Sequence, residues 1–472
     1  MNKKSLDLIK NFSYTISSNL ISLLISTIVV LVVPKLIGVE EYGYWQLYIF
    51  YTSYVGFLHL GWNDGIYLRY GGKHYKDLDK KLFYSQYYML ALLQFAIAIL
   101  IILFSSIYLK DFNRIFIIQM TAIALILVNL RFMLLFILQA TNRIKRYAQI
   151  TMIDRVLYIF IIVMLLIVGI RDYKMMIGGD LVGKLISLTF AMFSCKDIVF
   201  RKVKDFYFSI NEAIMNINVG IKLMLSNIAG KFIIGFVKLG IERNWDISTF
   251  GKVSLTLSIS NLLMLFINAV GVIMYPILRR TEERKLPDIY LTMRDILMLV
   301  LLGALITYYP LKSILSTWLP DYKDSLMYMA ILFPIVIFEG KMSLLINTYL
   351  KALRKEKLIL FINVITVVIS GVVTIITTFI LSSLDLAIMS IVFLLGLRGI
   401  LAEFLLSRVM TISINKDVIL EMMMSLIFIF TAWSIDTPIG MAIYVVAYMI
   451  YIYLKKDSFN NSFATMKRLM KA

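Results

Sequence analysis

Apolar residues in this chain run in long windows, rather than in the alternation of a half-buried strand or the one-sided stripe of a surface helix. A helix that crosses roughly 30 Å of hydrocarbon needs about 20 such residues. Windows of about that length recur at 12–33, 44–62, 83–109, 115–140, 147–169, 175–195, 216–239, 248–277, 293–310, 325–350, 358–381, 385–407, 418–435 and 437–454, separated by charged or turn-forming residues. The pattern predicts an all-α integral membrane protein of about fourteen transmembrane helices. The last two windows are the weakest, because Glu421 interrupts one and only the turn Ser434 to Pro438 parts them. Twelve helices is the alternative count.

Composition agrees: 60% of residues are hydrophobic, only 7 of 472 are proline, and the mean hydropathy is +0.84, which excludes a soluble globule. Of the 48 Lys and Arg residues, 31 fall in the terminal segments and one alternating set of loops, and 8 in the other set. Cytoplasmic loops retain basic residues, so both termini are expected inside, with Arg69 to Lys81, Arg143 to Arg146, Lys196 to Lys204, Arg279 to Lys285 and Lys351 to Lys357 facing inward. Met1 to Lys10 precedes the first window with no small-residue cleavage site, the pattern of an uncleaved signal anchor. The net charge of +19 is spread through short loops rather than gathered on one face, which argues against nucleic acid as a partner. Nor is there a loop large enough to house the catalytic residues of a glycosyltransferase or polymerase. The one cysteine, Cys195, allows no internal disulfide and no thiolate metal cluster, and is expected at a cytoplasmic helix end. The only histidines, His59 and His74, have no nucleophile or second metal ligand nearby in sequence and read as incidental. No catalytic constellation and no metal site is expected.

Shifting the chain against itself by 208 residues aligns Ser18-Asn19-Leu20 with Ser226-Asn227-Ile228 and Tyr42-Gly43 with Phe250-Gly251. The repeat is six helices long, and an even number of crossings preserves orientation. Two parallel six-helix lobes related by a pseudo-twofold axis along the membrane normal follow, a plan in which carriers place substrate between lobes. The boundaries are 1–205 for the first lobe, 206–410 for the second, and 411–472 for two further helices and a basic tail.

With Arg294, at the very head of 293–310, counted in the loop before it, nine basic residues remain inside the windows: Arg131, Arg155, Lys184, Lys222, Lys231, Lys238, Lys252, Lys341 and Arg398. A charge at a lipid-facing helix centre costs roughly 2.5 to 3.5 kcal/mol on insertion scales. Lys238, Lys252, Arg155 and Lys222 lie close enough to helix ends to snorkel. The deeper five, Arg131, Lys184, Lys231, Lys341 and Arg398, need a wet or anionic partner. Asn227, Lys231 and Lys238 share one helical stripe with Gly235, and Asp180 and Lys184 form an i, i+4 pair that would neutralise itself. Glu339 with Lys341, and Arg398 with Glu403, cannot close within their own helices and need partners elsewhere. Embedded bases outnumber the acids Asp154, Asp180, Glu339 and Glu403, so an anion between the lobes is expected. Phosphate suits it, because Arg offers a bidentate fork and Lys a compact ammonium.

Pro34-Lys35-Leu36-Ile37-Gly38-Val39-Glu40-Glu41-Tyr42-Gly43 and Gly61-Trp62-Asn63-Asp64-Gly65-Ile66-Tyr67-Leu68-Arg69-Tyr70 resemble the polysaccharide flippases of the Wzx type, within the multidrug, oligosaccharidyl-lipid and polysaccharide (MOP) exporter superfamily. The resemblance extends to the two-lobed plan, but its motifs do not assign a substrate. It implies a protein of the bacterial inner membrane that moves an undecaprenyl-pyrophosphate-linked oligosaccharide, an O-antigen or capsule repeat unit, to the periplasmic leaflet by alternating access. It implies no cofactor, coupling to H+ or Na+, and a polysaccharide polymerase and chain-length regulator as partners. On that basis Arg131, Lys184, Asn227, Lys231, Lys341 and Arg398 are expected to line the pyrophosphate and glycan cavity, and Asp64, Asp180, Glu339 and Glu403 to couple the ion. A lipid II flippase, a drug or organic-cation antiporter of the same superfamily, and a membrane scaffold in an envelope assembly are the alternatives. Embedded acids in excess would mark the cation exporter.

Overall fold

The computed structural model describes residues 24–280, 282–435 and 438–469, and every element in them is helical. The main helices are α1 (Leu24–Ile37), α2 (Val39–Val55), α3 (Trp62–Tyr70), α4 (Lys80–Tyr108), α5 (Phe112–Ala140), α6 (Ile144–Ile167), α7 (Tyr173–Ser194), α8 (Ile210–Asn244), α9 (Ile247–Arg280), α10 (Leu286–Trp318), α11 (Met329–Ala352), α12 (Glu356–Ile380), α13 (Leu384–Met410), α14 (Asn415–Ile435), α15 (Pro438–Leu454) and α16 (Lys456–Leu469). Among the described residues ten are long and apolar enough to cross a membrane, or eleven if α15 and α16, which meet at 66°, make one bent span. Of the expected fourteen windows, 12–33 lies half outside the described residues. The windows 12–33, 44–62, 248–277 and 437–454 fall on α1, on the break after α2, on α9 and on α15. The signal-anchor segment Met1 to Lys10 and the repeat residues Ser18-Asn19-Leu20 lie outside the described residues.

The chain divides into two compact units, Met1–Ile228 and Ala229–Ala472, with the division inside α8. Of the repeat, Tyr42 and Phe250 each stand fourth in their helices, α2 and α9, and each is fully buried.

In the first unit, loop carboxylates start the helices. Asp79 accepts from the Lys81 and Leu82 amides at 2.9 and 3.1 Å, Asp111 caps α5 in the same way, and Asp172 accepts from the Lys174 amide at 2.7 Å to begin α7. Each such cap is worth about 1 kcal/mol and satisfies amides that a helix leaves open at its first turn. The window 44–62 is not one helix: α2 stops at Val55 and α3 starts at Trp62, with Leu60 (φ 56°) and Gly61 (φ 83°) both left-handed between them. Carbonyls freed inside a hydrocarbon layer must find donors. The Val55 carbonyl accepts from Asn129 Nδ2 at 2.9 Å, and the Leu58 carbonyl from Gln94 Nε2 at 3.2 Å. Asn129 also donates to Gln94 Oε1 at 2.7 Å, and its own carbonyl accepts from Asn63 Nδ2 at 3.1 Å.

The short α3 then lies directly on the first turns of α8. A Cβ added at Gly61 would meet the Ile221 amide nitrogen at 2.6 Å, and one at Gly65 or Gly220 would collide with the backbone opposite. This is the small-residue contact by which membrane helices approach backbone to backbone. Arg69 closes it, donating to Glu212 Oε1 and Asn216 Oδ1, both at 2.6 Å.

In the second unit, α11 is a composite of short α-helical turns that ends in a wide π turn at Met342–Ile346 and a last helical turn, Asn347–Ala352. An aromatic cluster of Tyr308, Phe333, Phe428 and Tyr444, with centroids 5.3 to 6.2 Å apart, packs α10, α11, α14 and α15 together. Tyr444 and Tyr448 donate to the Leu302 and Leu299 carbonyls at 2.9 and 2.6 Å, so the C-terminal helices are fixed to α10 by hydrogen bonds as well as by packing.

Candidate functional site: buried charges in each unit

Three helices of the first unit bring charge to one place, and a fourth, α2, packs against it. Arg131 of α5 pairs with Asp154 of α6 at 2.8 Å and donates to Ser187 Oγ of α7 at 3.1 Å. Asp180 of α7 holds Lys184 of its own helix, as the i, i+4 spacing predicted, and accepts from Tyr48 Oη of α2 at 2.6 Å. Trp45 of α2 stacks on Tyr158 of α6 with centroids 6.0 Å apart and planes 9° off parallel. The two cations and two carboxylates balance. They are not sealed: the Asp154 and Lys184 side chains remain 17% and 15% exposed. A cluster of exchangeable charges at that depth can take a ligand without first opening a core.

The second unit holds a larger cluster of the opposite kind. Arg294 of α10 pairs with Glu403 of α13 at 2.6 Å and Glu421 of α14 at 2.7 Å. Lys341 of α11 pairs with the same two carboxylates at 2.6 and 2.7 Å. All four side chains are at most 1% exposed. Tyr290 donates to Glu403 at 3.0 Å. Outward from this square, Asp417 lies 3.4 Å from Arg294 and 2.8 Å from Lys455, which reaches Asp295 at 2.6 Å, while Ser458 and Ser462 of α16 donate to Asp295. Lys341 and Glu403, expected in the substrate cavity and among the coupling acids, are thus committed to a closed lattice that joins five elements. Glu403 and Glu421 are each already bridged by two cations and are sealed from solvent.

Arg398 of α13 makes a third arrangement, pairing with Glu339 of α11 at 2.7 Å and donating through Nε to Asn363 of α12 at 3.0 Å. Gly230 of α8 faces both, since a Cβ there would stand 3.3 Å from Asn363 and 3.7 Å from Arg398. Glu339 is 25% exposed, so this pair, like the one at Lys184, is open on one side.

Four of the five deep bases therefore meet a carboxylate within their own unit, and the expected cationic surplus is largely cancelled by pairing. Of the α8 stripe, Asn227 and Lys231 are exposed, and Lys238 stands half-buried 4.9 Å over the Phe250 ring. Asp64 is buried, with His59 Nε2 3.6 Å away. Cys195 is buried at the end of α7, as expected, and burial pushes its thiol up to about 12.

Sequence reasoning missed Arg294, Asp295, Asp417, Glu421 and Lys455. Arg294 and Asp295 stand at the head of the window 293–310 and read as the end of a basic loop. Glu421 reads as a flaw in a span. The signal that could have found them is their adjacency to apolar windows whose other charges also lack local partners.

No family model and no curated protein matches the sequence, but solved structures do. A multidrug resistance MATE family transporter of the MOP superfamily, in an inward-facing conformation, is similar with a TM-score of 0.62 over 83% of this chain and 97% of that one, at 13% identity. The lipid II flippase MurJ, in an inward closed conformation, is similar at 0.64 over 95% of this chain and 99% of that one, with 16% identity. A MOP superfamily transporter from Pyrococcus furiosus, described as having a binding pocket of reverse polarity, reaches 0.51 over 86% and 97% at 13% identity. At such identities the likeness establishes the fold: an all-helical membrane protein with the architecture of MOP-superfamily transporters.

Proposed function

We propose that the chain is a flippase for an undecaprenyl-pyrophosphate-linked oligosaccharide, an O-antigen or capsule repeat unit, carrying it from the cytoplasmic to the periplasmic leaflet of a bacterial inner membrane by alternating access. The observation that carries the reading is coverage: a lipid-linked substrate's flippase matches 95% of this chain and 99% of its own, whereas the MATE transporter matches 83% of this chain. The open cluster of the first unit supplies the chemistry. Arg131 and Lys184 already bind carboxylates, and a pyrophosphate offers the same oxygens with more charge, so it can displace Asp154 and Asp180 as their partner. Beside them the buried Trp45 ring is stacked on Tyr158 and packs the α2 and α6 walls of the cluster together.

The pairing of four of the five deep bases with acids also favours a second reading, an organic-cation antiporter, in which Asp180 and Glu339 would receive the substrate. Host cells carrying Lys184→Ala or Arg131→Ala are expected to lose surface polysaccharide while the protein inserts at normal levels, and to accumulate the lipid-linked unit. Wild-type surface glycan in both variants overturns the flippase reading. Drug sensitivity in Asp180→Asn, with glycan intact, would install the antiporter.

A further inference from the structure

The break between α2 and α3 holds a buried imidazole, and the first turn of α3 a buried carboxylate, that the charge clusters do not use. His59 and Asp64 are 4% and 11% exposed, and His59 Nε2 lies 3.6 Å from Asp64 Oδ2. On its other side the imidazole accepts: the Gly61 amide donates to His59 Nδ1 at 3.0 Å. That contact assigns the tautomer, because a ring nitrogen that accepts an N–H carries no hydrogen, so the hydrogen sits on Nε2, the nitrogen on the Asp64 side. Gly61 is also the residue whose left-handed φ of 83°, following Leu60 at 56°, turns the chain from one helix into the next. Backbone held in sparsely populated conformations persists only where its surroundings over-determine it.

A proton arriving at this pair has a defined structural consequence. On Nδ1 it would set two hydrogens against each other, that of the imidazolium and that of the Gly61 amide, and the amide must let go. The pair passes from a net charge of −1, carboxylate with neutral imidazole, to zero. On Asp64 it would give the same total charge but leave the Gly61 contact standing.

The surroundings supply little that competes. α4 presents Gln94 to the Leu58 carbonyl, α5 presents Asn129 to the Val55 carbonyl, and α8 presents the backbone of Asn216 to Ile221 against Gly61 and Gly65, all neutral. The charged groups on neighbouring turns of these elements are engaged elsewhere: Arg131 of α5 with Asp154, and Arg69 of α3 with Glu212 of α8. Lys222 of α8 is exposed.

We propose that His59 and Asp64 form a proton-binding site whose occupancy decides whether the Gly61 amide stays docked, making the α2–α3 break a proton-operated hinge. As the coupling proton of transport this rests on the flippase reading, but the site itself can be tested without substrate. The chain has only two histidines, so protein labelled with 15N in histidine and glycine and held in nanodiscs gives two imidazoles, with exposed His74 as internal reference. At pH 8 His59 is expected to show a protonated Nε2 and a bare Nδ1. On acidification its Nδ1 signal and the Gly61 amide should change together, with one midpoint. In Asp64→Asn that midpoint should shift by about one pH unit or more while that of His74 stays, because a partner carboxylate at ion-pair distance is lost. His59→Gln keeps an acceptor for the Gly61 amide but binds no proton, and should leave that amide insensitive to pH. A hydrogen on Nδ1 at pH 8, an Asp64→Asn midpoint equal to wild type, or a Gly61 amide that titrates in His59→Gln would each overturn the proposal.

Discussion

Among single residues, exposure separates two uses of the same chemistry. The Arg294, Lys341, Glu403 and Glu421 square has no solvent, so removing one member leaves a charge stranded in a low dielectric, a loss of about 3 to 5 kcal/mol. Lys184 keeps a solvated side and loses much less. Lys341→Ala should therefore lower the unfolding temperature in detergent far more than Lys184→Ala, and Lys184→Ala should damage transport more than it damages stability. Equal thermal shifts in the two variants would show that the distinction between sealed and open clusters is mistaken. At this scale the sequence was partly legible. The Asp180 and Lys184 pair follows from helical spacing, and the demand of Arg398 and Lys341 for partners on other helices is met by Glu339, Glu403 and Glu421. The partners themselves were not legible, because which helices adjoin is decided by packing that a one-dimensional pattern does not carry. Arg294 shows the same limit from the other side. A base at the first turn of a span looks like a loop base until three carboxylates are seen around it.

Among elements, the windows that became full-length helices did so because hydrocarbon imposes a length, and length is what an apolar run records. The break after Val55 was invisible for the complementary reason. Residues 56–61 are apolar enough to continue a span, and only the left-handed Leu60 and Gly61 and the donors Asn129 and Gln94 reveal that the backbone stops. Gly61 and Gly65 were read as part of a family motif. Their physical role is contact, since neither tolerates a Cβ against α8. Gly65→Leu or Gly220→Leu should push α3 off α8 and break the Arg69 to Glu212 pair, giving protein that is poorly folded in detergent by size-exclusion chromatography. Gly72→Ala, at a glycine with open space around it but a φ of 88°, should cost only about 1 kcal/mol. A Gly220→Leu protein as monodisperse as wild type would show that the contact is not tight.

For the whole molecule, the C-terminal helices were the least certain part of the sequence reading and are among the best anchored in the second unit. Lys455 stands at the 66° bend between α15 and α16 and bridges Asp295 to Asp417, and two serines of α16 complete the Asp295 shell. A chain ended after Leu454 should leave Asp295 buried without a cation and unfold at a distinctly lower temperature than the full chain, and Lys455→Ala alone should reproduce most of the shift. If the truncated protein melts with the full-length one, α16 is an appendage. The two compact units divide inside a continuous helix, which the sequence does not foreshadow, because nothing in the apolar pattern of 210–244 marks an end.

That α3 rests on α8 through bare backbone also orders events at the ribosome. About 150 residues must be synthesised after Gly65 before Asn216 and Gly220 exist to receive it. Until then a short helix carrying Asp64 and Arg69 has no partner for either its glycine face or its guanidinium, and cannot rest in lipid unaided. Completion of the first unit is therefore delayed until the helix that opens the second has begun to emerge, and the insertion machinery must shelter α3 through four intervening helices.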